Sequence, residues 1–160
     1  MAAPLRKPSP RFESDTVDGI CAFLSDFSVE VTRPKLTDLE AIRDTAGAGT
    51  RVYVSAIPTR PSTELIEQSA MTRLSTLLPA EKASVRNYTS RDELSSLIGR
   101  LSQEAGVKRV LIISGDRGDS AGPFTASLEI IESGILQQHG STHVSIAGHP
   151  DGHHFINRSG

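Results

Sequence analysis

The chain has 160 residues, of which 37% are hydrophobic and 22% charged, with a formal net charge of −2 and one cysteine. That length suits one domain with a real core. The near-zero charge argues against a basic face for nucleic acid or an anionic membrane, and the lone Cys21 excludes an internal disulfide or a multi-cysteine metal site. No apolar run approaches the roughly 18 residues of a membrane span. The opening Met1–Pro8 has basic residues without an apolar stretch behind them, so no signal peptide is expected, and a soluble cytoplasmic protein is.

Residues 1–26 read as an N-terminal arm and a short helix, and residues 27–160 as the folded domain. Within Phe12–Leu24, the residues Val17, Ile20, Cys21 and Leu24 fall on one helical face. Phe27–Thr32 alternates as a strand and Pro34 stops it. Thr37 with Glu40 predicts a capping box opening a helix to about Ala46, closed by Gly47 and Gly49. Arg51–Ile57 is a second strand, Thr63–Leu78 a helix, and Ala83–Tyr88 a short strand of low β character. Ser90 and Glu93 form a second capping box for a helix over Arg91–Ala105, with Gly106 as its stop. Lys108–Asp116 is the most hydrophobic strand, Phe124–His139 a helix, and His143–Gly148 a fifth strand. Strands alternating with helices predict an α/β fold of βα units around a parallel sheet, with every βα loop on one rim. Periodicity leaves open whether that sheet is flat or curls into a barrel.

The candidate chemistry lies at strand ends. In Phe27–Thr32 the alternation sets Glu30 apart from Val29 and Val31. If the valines pack on helices, Glu30 points into a barrel interior or cleft, where burial raises a carboxyl pKa and suits it to general-acid work. On an edge strand it would instead face solvent. Asp116 leaves the most hydrophobic strand behind Gly115, whose missing side chain would let a flat ligand approach the backbone; a turn aspartate is the plainer alternative. His149, His153 and His154 cluster after the fifth strand, but Pro150 and Gly152 break any helical metal-ligand spacing, so hydrogen bonding to a cofactor or phosphate is preferred over metal. No Gly-x-Gly-x-x-Gly and no P-loop is present. Neither Cys21 nor any serine has a readable His and acid partner, so a hydrolase is not supported.

Four blocks in register, Ser28–Thr32, Gly106–Asp116, Ala121–Glu129 and Ile146–His153, resemble the methylenetetrahydrofolate reductase family. The resemblance implies parallel βα repeats of a (β/α)8 TIM barrel, truncated after about strand 5, and hence a fragment. It implies FAD as cofactor, NAD(P)H as co-substrate and 5,10-methylenetetrahydrofolate as substrate, reduced to 5-methyltetrahydrofolate in one-carbon and methionine metabolism. Under it Glu30 is the general acid on the folate and Asp116 lies between flavin and folate. Ser55 offers a hydroxyl to the flavin, Gly115, Thr125 and Ala126 contact the cofactor, and His149 and His153 follow the fifth strand at its edge. Three positions depart from the family. Ser114 stands where an Arg often precedes Gly-Asp, Glu81-Lys82-Ala83 replaces a Pro-His on the third strand, and His149 replaces a Tyr. The alternatives are a non-catalytic half-barrel that associates with another chain, such as a second copy in a homo-oligomer, or a small-ligand module using Asp116 and the histidines without redox chemistry.

Overall fold

The structure, a computed structural model, describes residues 14–115 and 117–148. Five strands make one sheet: β1 (Ser28–Val31), β2 (Arg51–Ser55), β3 (Leu78–Ser84), β4 (Arg109–Ile113) and β5 (His143–Ile146). All pairings are parallel, and the order across the sheet is the order in the chain. The helices are α1 (Ser14–Leu24), α2 (Leu36–Ala46), α3 (Ser62–Leu74), α4 (Arg91–Glu104), α5 (Ser127–Glu132) and α6 (Ile135–Gln138).

Sequential order has a geometric consequence. Each crossover steps the same way across the sheet, and crossovers share one hand, so the connecting helices accumulate on one face. Burial agrees. Val54, Ala83, Val110 and Ile112 are buried together with Leu65, Leu94 and Leu101 of α3 and α4 in the larger core cluster. Leu39, Val52 and Leu77 form a smaller one beside it. The intervening residues Tyr53, Ser55, Lys82, Leu111 and Ile113 point to the other face and are only half-buried. Among the described residues no helix covers that face. The chain is thus a run of β/α units on a parallel sheet, the build of a partial barrel, and among the described residues it stays open with β1 and β5 at its edges.

Several element boundaries differ from the sequence-based expectation. The helix expected to reach Leu78 ends at Leu74, because Thr76 takes a left-handed turn (φ 61°) that swings Leu77 into the core. The third strand is therefore Leu78–Ser84, and Val85–Asn87, expected to be strand, forms a 3₁₀ turn. Pro79 is tolerated because pairing with β4 starts only at Ala80, so the strand has one neighbour at that point. The single helix expected over Phe124–His139 is two short ones, broken at Gly134 (φ 76°). The box expected from Thr37 and Glu40 is displaced: α2 starts at Leu36, and the Lys35 N–H donates to Asp38 Oδ2 at 2.8 Å. The Ser90 cap is as expected. The Glu93 N–H donates to Ser90 Oγ at 3.1 Å, while the Glu93 carboxylate accepts from the Thr89 N–H at 2.7 Å.

Candidate functional site

The C-terminal ends of β1, β2 and β3 bring three polar side chains together on the helix-free face. Ser55 and Lys82 are register partners at the ends of β2 and β3. Both reach Glu30 of β1: Ser55 Oγ donates to Glu30 Oε1 at 2.6 Å and Lys82 Nζ donates to the same oxygen at 2.9 Å. The alternation that separated Glu30 from the valines holds, so Glu30 does face away from the helices. Its ionisation runs opposite to the expectation. The Ser55 hydrogen bond first, and that of Lys82 second, hold the Glu30 carboxyl below the usual carboxylate range, outweighing desolvation. With its side chain 48% exposed, this is a wet ion pair and not a buried acid. At neutral pH Glu30 is a charged hydrogen-bond acceptor.

These residues open into a cavity of about 420 Å³ that also takes in Ser84, Ile113 and Gly115. A second cavity, of about 300 Å³, runs beneath the β2–α3 loop past Arg33, Arg60 and Tyr88 and shares Ser55, Ala56 and Ser84 with the first. Together they form a trough within the size range of small-ligand sites. Gly115 lines it, but its requirement for glycine has an internal cause. Its φ is +85°, and an added Cβ would press on the Ser84 Cβ at 3.3 Å.

Thr125 and Ala126 are placed at the start of α5, and their donors are already committed. Glu129 Oε2 accepts the Thr125 N–H at 2.6 Å and the Ala126 N–H at 3.1 Å, and Oε1 accepts the Thr125 hydroxyl at 3.0 Å. These bonds hold Glu129 below the usual carboxylate range. Asp116, His149 and His153 lie outside the described residues.

Three residues with a part in this region were not singled out from the sequence for the roles they take. In the sequence Lys82 is only a departure from the family pattern, and an expected strand start at Ala83 in place of Leu78 hides its position opposite Ser55. Arg86 ties the loops of the rim: its Nε donates to the Thr125 carbonyl at 3.0 Å and its Nη1 to the Arg117 carbonyl at 2.8 Å. Glu81, next to Lys82, points the other way, into the helix layer in register with Val54 and Val110. It is fully buried, and neither carboxylate oxygen has a hydrogen-bond partner. Burial pushes its pKa up to about 8; the neighbouring Lys82 N–H offsets this in part without closing a bond of normal geometry.

No family model matches the chain. Among the described residues no group of three or more His, Cys, Asp or Glu could hold a metal ion, and no helix is long and apolar enough to cross a membrane.

The residues present fit one end of FAD and not the other. A planar heterocycle could lie in the trough with the Ser55 hydroxyl and the Lys82 ammonium at its edge. The contacts expected at Thr125 and Ala126 do not suit a pyrophosphate: Glu129 has taken the N–H groups, and its charge repels an anion there.

Proposed function

We propose that the chain is the rim-forming part of a methylenetetrahydrofolate reductase-like oxidoreductase. In this reading FAD, when bound, supplies the hydride relay from NAD(P)H to 5,10-methylenetetrahydrofolate, yielding 5-methyltetrahydrofolate. The observation that carries it is the Glu30–Ser55–Lys82 constellation at the strand ends, where the resemblance puts the folate-facing carboxylate and the flavin-facing hydroxyl. The parallel β/α architecture, whose chemistry lies at the C-terminal rim of the strands, supports the same reading.

The chain's own groups define what they contribute. Lys82 places a positive charge beside the trough, suited to an electron-rich ring edge. Ser55 gives its proton to Glu30 and keeps its lone pairs for a ring N–H. Glu30, ionised, accepts a substrate N–H and stabilises positive charge developing on the substrate. To act as an acid Glu30 would first have to take up a proton, which the Ser55 and Lys82 hydrogen bonds to its carboxylate oppose.

Titrating FAD into the purified chain while following flavin fluorescence tests the reading. Saturable quenching is expected, weakened at least tenfold by Lys82→Ala and left within a few-fold by Thr125→Ala, whose donors face Glu129. A chain that leaves flavin fluorescence unchanged at every concentration would sink the proposal.

A further inference from the structure

The two sheet edges and α1 together form a self-complementary pair of surfaces. Val144 and Ile146 of β5 stand in register with Val110 and Ile112 of β4 and point into the helix layer. Val110 and Ile112 are 2% and 0% exposed, yet Val144 and Ile146 are 39% and 62% exposed. Leu128 of the adjoining α5 is 60% exposed. The helix layer therefore stops short of its last strand among the described residues. At the other end of the sheet α1 precedes β1 and buries none of its residues, leaving Val17, Ile20 and Leu24 exposed. A strand edge without a neighbour and an apolar strip without a cover both favour association.

The fold itself says how the two ends fit. A helix that precedes a strand covers that strand and the one before it: α3 leads into β3 and packs on both β3 and β2. If β1 of another copy adds to β5 in parallel, the α1 that leads into it falls over β5, where Val144, Ile146 and Leu128 are exposed. The strand faces also match. Both strands carry apolar residues outward (Val29 and Val31; Val144 and Ile146) and polar ones inward (Ser28 and Glu30; His143 and Ser145).

We infer that a second copy of this chain pairs its β1 edge with β5 and lays its α1 across the apolar strip. Two such contacts related by a twofold axis along the strands close the assembly as a dimer with all ten strands parallel. The second copy's rim then completes a trough that one copy leaves half-walled. The inference does not depend on the flavin reading, and its test contains no flavin.

Light scattering coupled to size exclusion on the full 160-residue chain is expected to give twice the chain mass. Ile20→Glu on α1 and Ile146→Glu on β5 should each give a folded monomer, with far-UV circular dichroism unchanged. Mixing the two variants should restore a dimer, because the mixed pair keeps one contact in which both surfaces are native. Unfolded variants could not rescue one another. A monomeric native chain, an open-ended series of oligomers, an Ile20→Glu variant that remains dimeric through β5–β5 pairing, or two folded variants that do not combine would each overturn the inference.

Discussion

Glu30 on β1 and Glu81 on β3 sit on opposite faces of the same sheet, with β2 between them, and their pKa values are shifted in opposite directions. Glu30 is held low by a hydroxyl and an ammonium. Its favourable contribution to stability is complete above the unfolded-state pKa and is lost as pH falls through the lower folded value. Lys82→Ala removes the ammonium while leaving the Ser55 bond, so the Glu30 titration seen by carboxyl ¹³C NMR should move upward, toward but not beyond the ordinary value. Glu81 reverses the sign. Its folded pKa, about 8, lies above the ordinary 4.5, so the folded state holds a proton that the unfolded chain has released. Stability contributed at this site therefore declines as pH rises from about 4.5 to about 8 and is flat beyond. Glu81→Leu should abolish that slope and stabilise the fold at pH 9 by roughly 2–4 kcal/mol, with little gain at pH 4.5, in urea unfolding at the two pH values. Of these residues, only the facing of Glu30 was legible, because alternation in a β-branched strand fixes it; Ser55 entered through the resemblance alone. The direction of the Glu30 pKa was not, since it depends on Lys82, 52 positions away.

The elements were legible where local chemistry and tertiary demand agree. β1, β2 and β4 are written in β-branched residues, and α4 announces itself through Ser90 and Glu93. β3 is the counter-example. Leu-Pro-Ala-Glu-Lys-Ala-Ser contains no β-branched residue, a proline and two charges, yet it is the central strand. Its place is set by neighbours on both sides: small Ala80 and Ala83 fit a crowded interior, and Glu81 is carried into the core by register alone. The break at Gly134 was hidden because Ile130, Ile131, Ile135 and Leu136 keep a helical spacing across it, although the backbone does not. Between elements, the β4–α5 loop is clamped to the β3–α4 loop. The Ala121 N–H donates to the Arg86 carbonyl at 2.9 Å, and a Cβ on Gly122 would lie 2.5 Å from the Tyr88 and Thr89 carbonyl oxygens. Gly122→Ala must push the two loops apart. The expected cost is about 1–3 kcal/mol in urea unfolding, with the far-UV spectrum preserved.

At the scale of the molecule, the two faces of the sheet differ in composition. The fully buried large apolar side chains, Leu39, Leu94, Ile112 and Ile130 among them, lie on the helix side. The opposite face carries Glu30, Tyr53, Ser55 and Lys82 beside Leu111 and Ile113, and its polar positions, outside the core, are free to carry function. This explains why sequence reading recovered the α/β class. Whether the sheet is open or closed could not be read the same way, because closure depends on which surfaces meet β1 and β5. Local periodicity within either strand carries no record of that.

The sequential strand order also shapes how the chain acquires its structure. Sheet pairings join residues from 23 positions apart, as for Ser28 with Arg51, to 34 apart, as for Arg109 with His143. No strand waits for a partner made much later. Loop-closure entropy is thus met in similar small steps, one unit at a time, and the topology lends itself to growth from the N-terminal side as the polypeptide emerges from the ribosome. At each stage the newest strand is the exposed edge that receives the next one.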